Sequence, residues 1–309
     1  LVGAPQHGFQ AVARRRDGGE PTILGRGVSG ASNPQAVGMQ AALEGLARAV
    51  GLARDEAGAG PGPLAAAVVG LAGSDRPEVR QPILRWIEQS SVARCCRVEH
   101  DALPVLAAGS PEGWGVALVA GTGSLAFGQD REGRTARAGG WGFLLGDEGS
   151  GYAIAREGLR AAARAADGRG PATRLLGAFV ARLQCRQPAD LVSAVHGMAA
   201  NPGAIAAFAP VVFQAAESAD GVAQSIVAQS GSDLAVMVTA VAQSLDFGDR
   251  AFPLAFTGGA ILANAGLRHA LETGLAQRGI QPTPLVAVRD PVAGAVHLAL
   301  RLAAESRQR

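Results

Sequence analysis

The sequence predicts an α/β protein of two domains that share one topology, with a cleft between them. Its 309 residues are about twice the length of a typical domain of ~150 residues. The chain is 48% hydrophobic and 17% charged, so it can bury a large core. A strand meander followed by alternating strands and helices occurs twice, first from Leu1 and again from Gly115. We therefore expect one domain over residues 1–112 and a second over residues 113–309.

The first repeat opens with a hairpin, because the turn signal Asp17-Gly18-Gly19 separates two strand-like runs. Asn33 before Pro34 is typical of a helix start. The unbroken apolar run at 64–71 is typical of a strand buried on both faces. The predicted elements are strands at 9–15 and 22–27, a helix from Asn33 to about Val50, a strand at 64–71, a helix opening at Gly73-Ser74, a strand at 95–98, and a helix beginning at Asp101.

The second repeat follows the same plan and carries a large helical insertion. Two apolar runs flank the turn Gly121-Thr122-Gly123, and a glycine-rich bend precedes the insertion. The predicted elements are strands at 116–120 and 124–128, a helical region over roughly 152–245, a strand at 253–256, a helix from Asn264, a strand at 285–288, and a final helix after Pro291.

The composition excludes several classes of protein. There is no lysine, so all 28 basic side chains are arginine; a Walker A loop, a protein kinase and a pyridoxal enzyme each need a lysine. A net charge of +2 argues against a nucleic-acid partner. Three cysteines are too few for a disulfide framework and fit a reducing cytoplasm. The longest charge-free stretch, 197–216, contains two prolines, so a buried helix explains it better than a membrane span.

Four glycine-bearing turns stand directly after apolar strands, at 70–74, 121–124, 139–142 and 258–259. A turn without side chains exposes backbone N–H groups that can line an anion site. One such turn is explained by tight turning alone. Four of them at strand ends in a two-domain α/β chain favour a ligand that carries phosphate.

Acidic residues near these turns are the candidates for chemistry, and each has a structural alternative. Asp101 is either a helix N-cap or a general base at the carboxyl edge of a sheet. Asp147 and Glu148 either accept hydrogen bonds from ligand hydroxyls or satisfy the N-terminus of the next helix. The five histidines show no metal-ligand spacing and are interpreted as structural or surface residues. His100 is of interest only because it adjoins Asp101.

The glycine turns also carry a family resemblance that covers nearly the whole chain. The segment 120–124, Ala-Gly-Thr-Gly-Ser, and the segment 139–151, Gly-Gly-Trp-Gly-Phe-Leu-Leu-Gly-Asp-Glu-Gly-Ser-Gly, resemble the central signature of the N-acetylglucosamine kinase and BadF/BadG-type ATPase family. Further similar segments follow in register at 30–33, 70–74, 98–103, 256–259 and 290–295. The resemblance implies two ribonuclease H-like, actin-like ATPase domains with a central interdomain cleft and a helical insertion in the second.

The resemblance also implies roles for single residues. Asp101 is expected to take the proton from a sugar hydroxyl that attacks the γ-phosphate of ATP. The other implied site residues are Asn33, Ser74, Gly140, Trp141 and Asp147 for the sugar, and Gly121, Thr122, Gly123, Ser124, Gly258 and Gly259 for ATP. Whether Ser74 contacts substrate or caps a helix stays open. The implied cofactors are ATP and Mg²⁺, and the implied assembly is a homodimer.

One departure from the family pattern affects the metal. The family has Asp-Gly-Gly-Gly-Thr between its first two strands, where the aspartate organises Mg²⁺; here Pro5 occupies the aspartate position. Three accounts stay open: a weakened or inactive kinase, an incomplete or misread N-terminus, or a metal held in another way. The start at Leu1 rather than at methionine favours the second. A milder departure is His100, where the family often has asparagine.

We therefore predict an ATP-dependent kinase for the 6-hydroxyl of N-acetylglucosamine or glucosamine. N-acetylmuramate and other hexoses are not separated from these by the sequence. One alternative is a sugar-binding pseudokinase or regulator without turnover. A weaker alternative is a BadF-type ATPase activator, which would need cysteine-bound iron–sulfur clusters; Cys95, Cys96 and Cys185 have unsuitable spacing.

Overall fold

The computed structural model describes residues 2–4, 8–15, 22–30, 34–60, 62–71, 73–74, 76–110, 112–247 and 251–307. The strands are β1 Val2–Ala4, β2 Gly8–Arg15, β3 Thr22–Val28, β4 Ala67–Leu71, β5 Cys96–His100, β6 Gly115–Ala120, β7 Ser124–Gln129, β8 Thr135–Gly139, β9 Leu254–Thr257 and β10 Leu285–Ala287. The helices are α1 Pro34–Val37, α2 Met39–Glu56, α3 Pro77–Gln89, α4 Ala102–Gly109, α5 Gly151–Ala166, α6 Arg174–Arg182, α7 Leu191–His196, α8 Pro202–Ala206, α9 Ala209–Glu217, α10 Gly221–Ser244, α11 Gly259–Ala263, α12 Ala265–Ala276 and α13 Pro291–Glu305.

The chain forms two compact units. The first contains Leu1–Gly113 together with Asp290–Arg309, and the second contains Trp114–Arg289. The sequence prediction placed residues 113–309 in one domain, so its assignment of the last helix was wrong. The physical reason is the contact between α13 and α4: a Cβ at Gly294 would overlap the carbonyl oxygen of Pro104, so the two helix backbones touch.

The first unit is built on a sheet of strand order β3-β2-β1-β4-β5. The first three strands form an antiparallel meander, and β4 and β5 then run parallel to β1. All five residues of β4 are buried, as expected for a strand covered on both faces. Helix α2 lies against β3 so closely that a Cβ at Gly27 would overlap the backbone of Ala49. Glycine at this position therefore sets the distance between the helix and the sheet.

The second unit repeats this arrangement, with strand order β8-β7-β6-β9-β10. Strands β6, β7 and β8 form the meander, and β9 and β10 run parallel to β6. The predicted duplication of an α/β topology is thus confirmed. Helices α5 to α10 are inserted between β8 and β9 and contribute much of the second core.

Helix α10 is long and apolar. At 24 residues it has the length and hydropathy of a membrane span, and half of its most apolar window is buried within the protein. It packs on α9, α12 and β7. These contacts are those of a core helix.

Two helix starts differ from the sequence prediction. The expected helix from Asn33 is interrupted at Gly38, whose φ of 82° is incompatible with a helix, and Asn33 itself lies outside the described residues. Helix α3 begins at Pro77, with Arg76 as its N-cap, and not at Gly73-Ser74. Proline at the first helical position fixes φ there and supplies the start signal.

Candidate functional site

Asp101 lies at the carboxyl edge of the first sheet, where two parallel strands end side by side. It follows β5 directly, and His100, the last residue of β5, pairs in register with Leu71 at the end of β4. A Cβ at Gly70 would lie 2.7 Å from Pro104 Cγ and 3.5 Å from the Cα of Asp101. Glycine at position 70 therefore lets α4 approach the strand and fixes where Asp101 stands.

The side chain of Asp101 does not cap helix α4. It occupies the N-cap of α4 but makes no capping hydrogen bond. The side chain is 14% exposed, and its Oδ1 is buried without a hydrogen-bond partner. His100 Nδ1 lies 3.0 Å from this oxygen. An unsatisfied carboxylate oxygen is costly, and such groups concentrate at functional sites.

Ser74 stands just beyond β4 in the same unit. Its residue is 1% exposed, and its hydroxyl has no hydrogen-bond partner. Because the N-cap of α3 is Arg76, the alternative that Ser74 caps this helix was wrong. Ser74 thus places a second unsatisfied buried oxygen after a strand that neighbours β5.

In the second unit, the turn Gly121–Ser124 joins β6 to β7 and is tied to the start of α5. The N–H of Gly121 donates to the carbonyl of Gly123 at 2.9 Å, which closes the turn. The N–H groups of Gly151 and Tyr152 donate to the carbonyls of Gly121 and Thr122 at 2.8 and 3.2 Å. The turn and the positive end of the α5 dipole therefore form one rigid feature.

Asp147 fastens this turn from the other side. Its Oδ1 accepts a hydrogen bond from the N–H of Ser124 at 3.1 Å, and the hydroxyl of Ser124 donates to the carbonyl of Glu148 at 2.6 Å. A Cβ at Gly123 would lie 2.8 Å from both carboxylate oxygens, so only glycine fits there. The N-cap of α5 is Ser150, whose Oγ accepts from the N–H of Ala153. Asp147 therefore does not cap the helix.

The environment of Asp147 also changes its acidity. Burial raises the pKa of the Asp147 carboxyl, the hydrogen bond from Ser124 opposes this, and the charge of Glu148 adds to it. Its φ of 62° is left-handed, a conformation that few residues except glycine, asparagine and aspartate adopt readily. A strained, partly buried carboxylate beside a glycine turn is characteristic of a functional position.

The bend between β8 and Asp147 presents an aromatic side chain to solvent. Trp141 is 67% exposed, and the Arg137 guanidinium lies 5.8 Å from its ring centre. Gly140 and Gly142, on either side of it, have positive φ values of 71° and 81°. Phe143 anchors the bend by packing edge-on against Tyr152, with ring centres 5.2 Å apart. The bend thus holds Trp141 with its ring accessible.

Gly258 and Gly259 form a second glycine turn, which lies against the turn at 121–124. Gly258 follows β9 with a φ of 110°, and a Cβ there would lie 2.7 Å from the N of Gly121. Helix α11 begins at Gly259. The two turns that the resemblance assigns to ATP therefore lie next to each other in the second unit, and Asp147 contacts one of them.

A groove between helices was not predicted from the sequence. Helices α10 and α12 pack so closely that a Cβ at Gly231 would lie 2.6 Å from the carbonyl carbon of Ala270. Beside this contact runs a cavity of about 750 Å³. The small residues of α10 and α12 were the sequence signal that could have predicted this close packing. The lining of the cavity includes Phe213, Glu217, Gln224, Val227, Ala228, Gln229, Asn264, His269, Ala270 and Thr273.

The predicted site residues thus divide between the two units. Asp101 and Ser74 belong to the first, and Gly121, Thr122, Gly123, Ser124, Gly140, Trp141, Asp147, Gly258 and Gly259 belong to the second. Asn33 and Pro5 lie outside the described residues. Within the described part of the chain, no three His, Cys, Asp or Glu side chains are grouped to hold a metal ion.

All three cysteines are described, and their thiols are free and partly buried. Cys95 and Cys96 are in the first unit and Cys185 is in the second. The Cys95 thiol donates to the carbonyl of Ala65, and burial raises the pKa of the Cys96 thiol. Within the described part of the chain, none of the three belongs to a group of three potential metal ligands.

These features define a class of protein: an α/β protein with two ribonuclease H-like units, paired glycine turns at strand ends, and a carboxylate at a strand edge. The model of the BadF/BadG/BcrA/BcrD ATPase family matches residues 10–299. The chain belongs to this family.

The chain is similar to two curated relatives and to one solved structure. The chain is 34% identical over 193 residues to an N-acetylmuramic acid/N-acetylglucosamine kinase of Clostridium acetobutylicum, covering 62% of this chain and 63% of that one. It is 31% identical over 236 residues to an N-acetyl-D-glucosamine kinase of Dictyostelium discoideum, covering 75% and 74%. A Chromobacterium violaceum protein assigned as an N-acetylglucosamine kinase has a crystal structure that matches with a TM-score of 0.74, 26% identity and 96% coverage of both chains. The match to the Clostridium relative thus spans less than two thirds of its length.

Proposed function

We propose that this protein is an ATP-dependent amino-sugar kinase that phosphorylates the 6-hydroxyl of N-acetylglucosamine or glucosamine. The observation that carries the proposal is Asp101: a carboxylate at the carboxyl edge of two parallel strands, with a buried oxygen that no hydrogen bond satisfies. The names of the curated relatives support the substrate class. We also propose a cytoplasmic location, where ATP is available and free thiols stay reduced.

Asp101 acts as the general base. Its carboxylate accepts the proton of the sugar hydroxyl as that oxygen attacks the γ-phosphorus of ATP, and the bond from phosphorus to the bridging oxygen breaks to release ADP. General base catalysis contributes about 10²- to 10⁴-fold to a rate. Most of the remaining barrier is lowered by positioning and by neutralising charge on the phosphates.

The glycine turns of the second unit supply phosphate contacts without lysine. Two amides of the first turn are already used inside the protein, Gly121 to Gly123 and Ser124 to Asp147. We assign phosphate binding to this turn as a whole, as the family resemblance implies, and to Gly258-Gly259, which lies against it. The α5 N-terminus adds a favourable dipole.

The sugar is assigned to the surface formed by the bend at 140–147. Trp141 offers an exposed aromatic face, which suits the apolar face of a hexose. The carboxylate of Asp147 and the backbone at Gly140 offer acceptors for its hydroxyl groups. Ser74, with an unsatisfied hydroxyl, is assigned to the sugar from the first unit.

Mg²⁺ is proposed from the chemistry of ATP and not from a protein cage. Mg²⁺ usually keeps several waters and is bound by substrate phosphates plus one or two carboxylates. Within the described part of the chain no group of three ligands is present, so we assign the ion to the phosphates of ATP.

The purine is assigned to the groove between α10 and α12. Val227, Ala228 and Ala270 give it apolar walls, and Gln224 and Asn264 give it polar edges. Ligand sites of this size are mostly apolar with a few polar groups that fix orientation. Asn264 follows α11, the helix that begins at Gly259, so the groove continues along the chain from the glycine turn.

The decisive test is Asp101→Asn, assayed by ADP release with a panel of hexoses and amino sugars. We expect kcat to fall by about 10²- to 10⁴-fold while circular dichroism and sugar binding stay the same. Asp167→Asn is the matched control, because Asp167 is an exposed aspartate at the C-terminal end of α5 that pairs with Arg169, two residues away. An Asp101→Asn enzyme with wild-type turnover would show that another group is the base.

A second candidate is a sugar-binding protein without turnover. Pro5 at the position of the family's metal-directing aspartate favours it. Calorimetry on the wild-type chain distinguishes the two. Sugar binding with no ADP formed from Mg-ATP selects the pseudokinase, and stoichiometric ADP with sugar phosphate selects the kinase.

A further inference from the structure

We propose that Glu217 binds the ribose of the nucleotide, through hydrogen bonds that its carboxylate accepts from the 2′- and 3′-hydroxyl groups. This inference rests on the proposed function, because it takes the groove between α10 and α12 as the nucleotide site. It adds to that assignment a residue that selects a ribonucleotide over a deoxyribonucleotide. The evidence is a carboxylate that is held in place at one end of the groove.

The carboxylate of Glu217 is held by a buried side chain on another helix. Glu217 is the last residue of α9, and both Glu217 and Asn264 line the groove. Asn264 is the N-cap of α12 and is 4% exposed. Its Oδ1 accepts a hydrogen bond from the N–H of Leu267 at 2.8 Å, which fixes the side-chain amide. Its Nδ2 then donates to Oε1 of Glu217 at 3.3 Å.

The same carboxylate keeps the capacity to bind a ligand. A carboxylate has two oxygens with about four lone-pair sites, and the bond from Asn264 uses one of them. Glu217 is exposed and lines the groove, so a molecule in the groove can reach the remaining sites. The ribose of a nucleotide offers two neighbouring hydroxyl donors. Acidic residues accept hydrogen bonds from ribose hydroxyls in dinucleotide-binding folds as well.

The charge of Glu217 does not help α9 to form. A negative charge is unfavourable near the C-terminus of a helix, because the last carbonyl groups give that end a partial negative charge. The last turn of α9 has no basic residue to offset it, and the partner Asn264 is neutral. The charge therefore opposes the stability of the helix, which favours a role in binding over a role in folding.

The position of Glu217 fits the order of the groups in a nucleotide. The glycine turn at 258–259 is assigned to phosphate, α11 begins at the second of these glycines, and Asn264 directly follows that helix. Five helical residues span about 7.5 Å, which is comparable with the separation of the β-phosphate and the ribose in ADP. The apolar wall at Ala270 lies farther along α12 and is available to the base. Phosphate, ribose and purine sites thus follow one another along the groove.

The first experiment measures binding and needs no turnover. Calorimetry on the full chain compares ADP with 2′-deoxyADP and 3′-deoxyADP. In the wild type, at least one deoxy form should bind about 10- to 100-fold more weakly than ADP, because it loses a hydrogen bond to a charged group. Equal affinities for the three nucleotides would overturn the proposal.

Glu217→Ala should remove this preference. Its affinity for ADP should fall to the wild-type level for the weaker deoxy form, and its affinity for that deoxy form should stay the same. If Glu217 only fastens α9 to α12, all three nucleotides should weaken equally, and that result would also overturn the proposal. Glu272→Ala is the matched control, because Glu272 is an exposed glutamate of α12 outside the lining of the groove. It should keep the wild-type preference.

The second experiment follows turnover with the sugar. The ribose is bound equally in the ground state and the transition state of phosphoryl transfer. In Glu217→Ala the KM for ATP should therefore rise about 10- to 100-fold, while kcat stays within about threefold. A fall in kcat with an unchanged KM for ATP would contradict a ribose contact.

The ribose assignment and the proposed kinase function fail separately. If the wild type prefers ADP and Glu217→Ala loses that preference, but no sugar is phosphorylated, the kinase function fails and the assignment of Glu217 stands. If a sugar is phosphorylated but both deoxy forms bind as tightly as ADP, the kinase function stands and the assignment of Glu217 fails.

Discussion

Asp147 shows at the scale of one residue how a site can oppose stability. Its carboxylate is partly buried beside Glu148, and its backbone is left-handed. Both features have a free-energy cost, and the hydrogen bond from Ser124 offsets only part of it. A residue kept for packing alone would not combine these costs, so the position is better explained by its contact with the turn at 121–124.

Asp147→Asn should stabilise the folded protein at neutral pH. Asparagine tolerates a left-handed φ and can still accept from Ser124, but it carries no charge to desolvate. Because the folded-state pKa of Asp147 is raised, the penalty is present above that pKa and disappears as the pH falls below the unfolded value of about 3.9. Thermal melts should therefore show a higher Tm for the variant at pH 7 and equal values near pH 3.

Glu148→Gln is the control for this prediction. It removes a neighbouring charge that contributes to the raised pKa of Asp147 and leaves the buried carboxylate in place. The increase in Tm at pH 7 should be smaller for Glu148→Gln than for Asp147→Asn. A lower Tm for Asp147→Asn at pH 7 would mean that the charge itself holds the turn.

At the scale of elements, helices α10 and α12 form a pair whose spacing depends on small residues. Gly231 faces Ala270, and Gly274 faces Ala235. A Cβ at Gly274 would lie 2.9 Å from the Cβ of Ala235. Residue 231 of α10 contacts residue 270 of α12, and residue 235 contacts residue 274. The contacts advance in the same direction along both helices, so the helices run parallel. This close contact leaves the groove open on the side of Ala228.

Ala228→Trp should fill the groove and weaken nucleotide binding. We expect the KM for ATP to rise about tenfold, equal to about 1.4 kcal/mol, with no change in the KM for the sugar. Ala240→Trp is the matched control, because Ala240 is an exposed alanine of the same helix that does not line the groove. Equal effects of the two substitutions on the KM for ATP would remove the purine from this groove.

At the scale of the whole molecule, the end of the chain completes the first unit. Helix α13 packs on α4 through Gly294, and Asp290 at its start bonds to Arg26 of β3 at 2.5 Å. The pKa of Arg26 is raised, chiefly by this hydrogen bond from its side chain to Asp290. The first unit therefore combines two segments that are separated in the sequence by the whole of the second unit.

Gly294→Ala should therefore destabilise the first unit, by about 1–3 kcal/mol as for other overpacked contacts. Hydrogen exchange should accelerate in α4 and β4, while α10 and α12 keep their protection. Gly177→Ala is the control, because a Cβ there meets nothing within 4 Å in α6, and it should stabilise by about 0.5–1 kcal/mol. Unchanged exchange in α4 would contradict the packing.

The order of strands and helices followed from local patterns. Alternation and unbroken apolar runs mark which faces are buried, and the turn at 121–124 and the prolines at 77 and 291 mark where elements begin and end. These signals act over a few residues, so they were readable in the sequence, and the duplicated topology followed from their repetition. The same signals placed Asp101 after a strand and before a helix.

Partners distant in the chain were decided by packing in three dimensions. The sequence pattern of α13 shows an apolar face but not that Pro104 covers it, and no local signal brings Gly258 against Gly121. The groove beside α10 and α12 exists only because two helix surfaces meet. Likewise, adjacency in sequence placed His100 beside Asp101, but backbone geometry at the strand end turned Nδ1 toward Oδ1. Burial can be encoded locally, whereas the identity of the covering group depends on the folded chain.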